Sequence, residues 1–202
     1  MNFYIADTHF FSSDKLLFQY DKRPFKDADE MRAEMLKRWN AKVSNADHVY
    51  ILGDVDGRAD LPNILSYLGQ LKGNKHLILG NHDQNADNGQ YKKLFDEIKP
   101  YKETTDTADG VRYHLVLCHY PIFAWNGQHR DALHVYAHLH NTADELHYRE
   151  ALRSLNEFYR ERDKERYRPF YAINVGAMFT DYEPKTLKEL LDMNHIPPTR
   201  AI

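Results

Sequence analysis

Six short apolar runs rich in Val, Ile, Leu, Tyr and Phe divide the chain: Phe3 to Ala6, His48 to Leu52, His76 to Leu79, Tyr113 to Cys118, Val135 to Ala137 and Tyr171 to Val175. Runs this short, and this rich in β-branched and aromatic residues, predict buried strands rather than pieces of helix. Five of them stop at a polar signature. Asp7-Thr8-His9 follows the first, Gly53-Asp54 the second, Gly80-Asn81-His82-Asp83 the third, His119 the fourth and His138-Leu139-His140 the fifth. In open α/β sheets, ligands gather where the carboxyl ends of strands meet their loops. The ordering therefore predicts one crevice lined by all five signatures. Asp7/His9 and His138/His140 are i,i+2 pairs, which on an extended strand would project to one side. Gly53 and Gly80 would permit tight turning immediately before a ligand.

Helical patterns lie between these runs. Asp27 with Glu30 reads as a capping box opening a helix over about Ala28 to Val43, with Met31, Met35, Leu36 and Trp39 inward. A second is expected after Asp60, with Pro62 in its first turn and Ile64, Leu65, Leu68 and Leu71 inward. A third covers about Tyr91 to Ile98, and a last begins near Pro184 with Leu187, Leu190 and Leu191 inward. Asn85 to Gly89 and Thr104 to Gly110 read as exposed turns. Strand–helix alternation in the first half predicts a parallel sheet with helices on its faces, and the second half is richer in strands. Residues 143–168 are dense in alternating charge, with Leu146, Leu152, Leu155 and Tyr159 at helical spacing. They read as a long solvated helix carrying pairs such as Glu145–Arg149, or as a lid or oligomer contact. The 202 residues suit one domain with this stretch as an insert.

The donor types point to metal chemistry. Asp7 and Asp54 supply carboxylate oxygen, Asn81 an amide oxygen, and His9, His119, His138 and His140 imidazole nitrogen. Few carboxylates and many imidazoles favour a pair of transition-metal ions over Mg²⁺ or Ca²⁺. Mn²⁺ is the first expectation, with Fe²⁺, Zn²⁺, Ni²⁺ and Co²⁺ as alternatives. Two divalent ions carry four positive charges, of which two carboxylates offset two, so a positive remainder is left for an anionic phosphoryl group. The other histidines, at 48, 76, 114, 129, 134, 147 and 195, read as structural or exposed.

Composition narrows the partners. Net charge is −3 with neutral His, which argues against stable binding of duplex nucleic acid. Arg23, Arg58, Arg130 and the arginines of the 143–168 stretch could make a local basic patch. The single cysteine, Cys118, excludes an internal disulfide and suits a reducing compartment. No stretch approaches the roughly 18 apolar residues of a membrane span, and Met1 to Asp7 does not read as a signal peptide. The cytoplasm is the expected location.

The ordered set Asp7-x-His9, Gly53-Asp54, Gly80-Asn81-His82-Asp83, His119 and His138-x-His140 resembles the signature of the calcineurin-like metallophosphoesterase superfamily. Asp7-Thr8-His9-Phe10, Arg23-Pro24-Phe25 and Asn174-Val175-Gly176 are similar to a group of small bacterial and phage phosphoesterases within it. The resemblance implies an α/β fold, a four-layer α/β/β/α sandwich with a dinuclear site at one rim. It implies that Asp7, His9 and His140 bind one metal, that Asn81, His119 and His138 bind the other, and that Asp54 bridges them. His82 would contact phosphate and protonate the leaving oxygen, while a metal-bridging hydroxide attacks phosphorus. Asn81 and Arg23 are further candidates for holding substrate phosphate.

Two departures stand out. Ala137 occupies the position where the family has Gly before the His-x-His pair. Gly57 stands where related phosphatases place the Asp that orients the catalytic His, with Asp56 one residue early, so either the loop register differs or another group, Asp83 a candidate, orients His82. The paired arginines and Asp-Arg-Gly sequence of protein Ser/Thr phosphatases are missing here, which disfavours a phosphoprotein substrate. The expectation is a hydrolase of phosphate mono- or diesters of a small molecule or nucleotide. A nuclease or nucleotide pyrophosphohydrolase with the same site is the alternative, and a non-catalytic scaffold a third. Specificity would come from the loops Phe10 to Phe25 and Tyr120 to His134 and from the charged insert at 143–168. There Phe11, Tyr20, Phe123 and Trp125 either stack on a base or fill the loop cores.

Overall fold

A computed structural model describes residues 1–12, 14–56 and 60–197. In chain order its elements are β1 (Asn2–Ile5), α1 (Lys15–Asp21), α2 (Ala28–Lys42), β2 (His48–Ile51), α3 (Leu61–Leu68), β3 (Asn74–Ile78), α4 (Gly89–Lys92), β4 (Glu97–Lys99) and β5 (Tyr101–Ala108). They continue with β6 (Val111–Cys118), β7 (Leu133–Tyr136), α5 (Ala143–Arg162), β8 (Ala172–Asn174), β9 (Lys185–Thr186) and α6 (Leu187–Met193). The strands form two sheets, ordered β4-β3-β2-β1-β9 and β5-β6-β7-β8. Strands β1 to β4 pair in parallel, and β9 closes that sheet antiparallel to β1. In the second sheet only β5 runs antiparallel to its neighbour.

Alternation along each strand assigns its side chains to layers. In β1, Phe3 and Ile5 face a core built with Met31, Met35 and Trp39 of α2 and Ile64 and Leu68 of α3. Tyr4, and Ala6 just beyond, face the other way, with Tyr50, Leu52 and Ile78, onto Leu115, Leu117, Val135 and Ile173 of the second sheet. Every strand of the first sheet's centre is thus buried on both faces, which is why its sequence is continuously apolar. On the outer face of the second sheet, Val116, Trp125, Ala132 and Phe170 pack with Leu152, Leu155 and Tyr159 of α5. The layers are helix, sheet, sheet, helix, as the resemblance implies.

The ends of several elements depart from the sequence expectation. Asp27 caps α2 through Asp29 N and Glu30 N, but Glu30 returns its bond to Lys26 N rather than to Asp27. The helix expected over 91–98 is only the single turn α4, capped by Asn88, and Ile98 lies in β4 paired with Leu77. Tyr91, Leu94, Phe95 and Ile98 all pack inward, so a turn followed by an edge strand mimics helical spacing. Thr104 to Gly110 is not a turn: it is the end of β5, with Asp109-Gly110 alone making the hairpin at φ of 49° and 77°. Asp-Gly is the signature of a two-residue hairpin turn. Near Pro184 the chain first pairs with β1 as β9. Only then does Thr186 start α6, through a reciprocal capping box with Glu189.

Helix α5 also differs in detail. Leu146 is 65% exposed and takes no part in the inward stripe. Glu145, expected in a solvated pair, is buried, and its carboxylate accepts from Tyr136 Oη (3.0 Å), Asn174 Nδ2 (2.9 Å) and Arg149 Nε (2.5 Å).

Candidate metal centre

The five signatures meet at one rim, where the strands of both sheets end. Main-chain bonds hold the loops there in register: Asp7 N donates to Gly53 O (3.1 Å), His9 N to Asp54 O (2.9 Å) and Phe10 N to Val55 O (3.0 Å). A parallel bridge between Ala6 and Gly176 joins the two sheets at the same level. The i,i+2 pairs converge, although strand alternation is not the cause. Asp7 (φ 48°), His9 (44°), Asp54 (54°), His138 (73°) and His140 (51°) all adopt the left-handed region. Each such residue costs about 1–3 kcal/mol and persists where surrounding structure over-determines it. Here the stitched loops do so, and the turns aim five donor side chains inward.

Gly53 and Gly80 serve close approach. A Cβ on Gly53 would lie 2.6 Å from Gly80 Cα, at a φ of 84°, and one on Gly80 would strike the Asp54 carboxylate. Asp83 fixes both loops at once, its carboxylate accepting from Gly80 N (2.7 Å), Asp54 N (3.1 Å) and Val55 N (2.9 Å). Those bonds engage both Asp83 oxygens, so Asp83 positions the loops rather than His82. Asp56 accepts from Asn85 Nδ2 (2.9 Å), while Gly57 and Arg58 fall outside the described residues.

One donor atom from each of Asp7, His9, Asp54 and His140 lies within 4.8 Å of every other. His119 and Asn81 adjoin them, His119 Nε2 being 3.1 Å from Asn81 Oδ1. The His138 and His119 rings are 5.1 Å apart. Asp54 Oδ2 stands 3.6 Å from His9 Nε2 and 3.6 Å from His119 Nε2. Asp7 Oδ1 and His9 Nε2 are buried without any hydrogen-bond partner. Orphaned polar atoms of that kind are costly unless something charged completes them. A divalent cation fits both, and the mixed oxygen–nitrogen set suits a transition metal.

The supporting contacts set each imidazole's free nitrogen. His119 Nδ1 lies 2.7 Å from Leu52 O, so it donates there and leaves Nε2 facing Asp54. His140 Nδ1 is 3.0 Å from Asp21 Oδ2, which leaves its Nε2 for the site. A metal-binding His held this way by a carboxylate or carbonyl has its tautomer and orientation fixed. Burial, reinforced by the Arg23 charge and neighbouring imidazoles, holds the His9 pKa well below its ordinary value. Burial also lowers that of His138. Both are neutral donors. Burial pushes the Asp7 carboxyl up to about 6.

Arg23 is not a phosphate clamp. Its guanidinium is enclosed, paired with Asp21 Oδ2 (2.8 Å), and donates to Asp7 O (2.9 Å) and Thr8 O (2.9 Å). It braces the first signature from behind. Asp21 joins Arg23 to His140, and its one sequence cue is its place two residues before Arg23. His82 is exposed at the open side, with its ring 5.4 Å from that of His9 and its main-chain N donating to Asp54 Oδ1 (2.8 Å). Tyr120 packs edge-on against His138 at 4.7 Å. Trp125 is buried and donates to Ala132 O (2.8 Å), so it fills its loop, whereas Phe123 and Tyr20 are exposed. A cleft lined by Asp14, Leu16, Leu17, Tyr20, His138 and His140 opens beside the site.

Two sheets flanked by helices, with a carboxylate–imidazole cage at their common rim, define a metal-binding α/β protein. The chain belongs to the calcineurin-like phosphoesterase family, whose sequence profile matches residues 3–201. It is 36% identical over 81 residues to an uncharacterized protein of Methanocaldococcus jannaschii, covering 40% of this chain and 45% of that one. It is 32% identical over 110 residues to the gene 66 protein of Mycobacterium phage L5, covering 53% of this chain and 50% of the phage protein. The chain thus spans about half the length of each of these relatives. In fold it is similar to the crystal structure of a protein of unknown function from Aquifex aeolicus. The TM-score is 0.64 at 22% identity, with 96% of this chain and 98% of the other covered. Among the described residues no helix is long and apolar enough to cross a membrane.

Proposed function

We propose that the chain is a dinuclear metal-dependent hydrolase of phosphate mono- or diesters of a small molecule or nucleotide. The observation that carries this reading is Asp54 Oδ2, 3.6 Å from the free nitrogen of His9 on one side and 3.6 Å from that of His119 on the other. One carboxylate therefore faces two donor sets, Asp7, His9 and His140 in the first and Asn81, His119 and His138 in the second. Divalent transition ions, Mn²⁺ foremost, would supply Lewis acidity toward phosphoryl oxygens and lower the pKa of water. Asp7 and Asp54 offset part of the positive charge and leave a remainder for the phosphate anion. His9 and His138 enter as neutral imidazoles and need lose no proton to bind. His82, exposed at the rim and pinned through its main-chain N–H to Asp54, stands at the side from which substrate must approach. Its role is general acid toward the leaving oxygen. The cleft with Leu16, Leu17 and Tyr20 suits an aromatic or apolar leaving group, a nucleoside among them.

The Mn²⁺-loaded protein is expected to cleave bis-p-nitrophenyl phosphate or its monoester. His82→Ala should lower kcat by roughly 10²–10⁴-fold with the bound metal unchanged. Asp54→Asn should lose both metal and turnover. Full metal occupancy with no turnover across a broad panel of phosphate esters would refute the reading.

A further inference from the structure

The opposite end of the first sheet carries a second cluster of donors. β2 starts with His48, and β3 carries His76 one diagonal step away on the same face. Asp96 immediately precedes β4, where Glu97 is the ladder partner of His76. His48 Nδ1 is 2.9 Å from His76 Nε2, His76 Nε2 is 3.9 Å from Asp96 Oδ2, and the three donor atoms lie within 4.8 Å of one another.

His76 is built into place. Its ring stacks on Tyr50 at 4.7 Å, and its Nδ1 lies 3.2 Å from Glu97 Oε1. Glu97 is in turn held by Lys99 (3.1 Å) and Lys102 (2.5 Å). The Glu97 carboxylate accepts from His76 Nδ1–H, which leaves the Nε2 lone pair of His76 pointing at His48 and Asp96. A carboxylate behind an imidazole whose far nitrogen meets further donors is the arrangement that supports metal-bound histidine.

We propose that His48, His76 and Asp96 form a separate binding site for a single Zn²⁺-like transition-metal ion, with Glu97 as the positioning residue for His76. Two ligand atoms at about 2.0–2.2 Å from a tetrahedral ion stand roughly 3.3–3.5 Å apart. The observed separations of 2.9 and 3.9 Å straddle that value, and the movable partners, His48 and Asp96, are both exposed. Solvent reaches the fourth position. Without an ion, His48 donates from Nδ1 to His76; binding requires only that His48 carry its proton on the other ring nitrogen. Six residues of roughly extended chain, at about 3.3 Å each, separate His48 from Asp54, which places this ion near 20 Å from the rim. It would tie the start of β2 and the middle of β3 to the lead into β4.

Equilibrium dialysis against Zn²⁺ with elemental analysis tests the site. His48→Ala and Asp96→Asn, both at exposed positions that leave the core intact, should each bind one ion fewer per chain than the unaltered protein. Glu97→Gln should weaken that ion about 10–100-fold. With Co²⁺, the difference spectrum between the unaltered protein and His48→Ala should show ligand-field bands of a low-coordinate imidazole site. In an Asp54→Asn background the one-ion difference should persist, which separates this site from the rim. Equal stoichiometry in the unaltered protein and both exposed variants would overturn the proposal, whatever the rim site then proves to bind.

Discussion

At the scale of single residues, the rim is held by groups whose charge is balanced only within the cluster. Asp7 is fully buried, its Oδ1 has no partner, and burial raises its carboxyl to about 6. A carboxyl raised on folding contributes stability below its unfolded pKa of 3.8, and that contribution is lost as pH rises through the folded value. Metal-free Asp7→Asn should therefore match the unaltered protein near pH 4 and exceed it by about 1–3 kcal/mol above pH 6. Urea unfolding in the presence of chelator measures this gap, and no change with pH would contradict it. The same variant should gain no stability from Mn²⁺. Asp21 offers a second test. It orients His140 and pairs with the enclosed Arg23, so Asp21→Asn should weaken metal binding about 10–100-fold in a Mn²⁺ titration without altering any direct ligand. Asp7, His9, Asp54, Asn81, His119, His138 and His140 stand out in sequence as candidate donors because each is a polar residue where an apolar run ends, and the structure brings them to one rim. Arg23 was misjudged for a physical reason. An arginine's sequence neighbours do not disclose whether its charge meets solvent or a buried carboxylate.

At the scale of elements, the long acidic–basic helix α5 shows how tertiary neighbours reassign a surface. Glu145 and Leu146 are adjacent, yet the carboxylate is buried under Tyr136, Asn174 and Arg149 while the leucine points to water. Glu145→Ala leaves two buried donors, Tyr136 Oη and Asn174 Nδ2, without their acceptor, and should cost about 2–4 kcal/mol, the exposed Arg149 adding little. Leu146→Ala should stay within about 0.5 kcal/mol of the unaltered protein. Thermal or urea denaturation of the two variants reads the contrast, and the reverse order would show that the helix sits differently. The strands β1, β2, β3, β6, β7 and β8 were legible because burial on two faces demands unbroken apolar runs. β4, β5 and β9 were not. They lie at sheet edges, half exposed or very short, so pairing rather than side-chain pattern defines them.

At the scale of the whole molecule, an ion at the rim would bridge loops from both sheets and so resist unfolding as a unit. Metal at about a hundred times its Kd should add about 2.7 kcal/mol, which for a chain of this size raises Tm by roughly 5–10 °C. Scanning calorimetry with and without chelator checks this, and an unchanged Tm at full occupancy would mean that the unfolded chain binds the ions as tightly as the folded rim. The sequence by itself determined the alternation of strands and helices, the two-sided burial of the central sheets and the inventory of donors at strand ends. These are local: apolar periodicity and residue type are written along the chain. Only the tertiary structure decided that left-handed turns, rather than strand pleat, aim the donors, that Asp83 and Asp21 hold them, and that His48 meets His76 and Asp96 at the far edge. Those outcomes depend on which loops are pressed together. Long-range contact, unlike hydrophobic period, leaves no repeating mark in the order of residues.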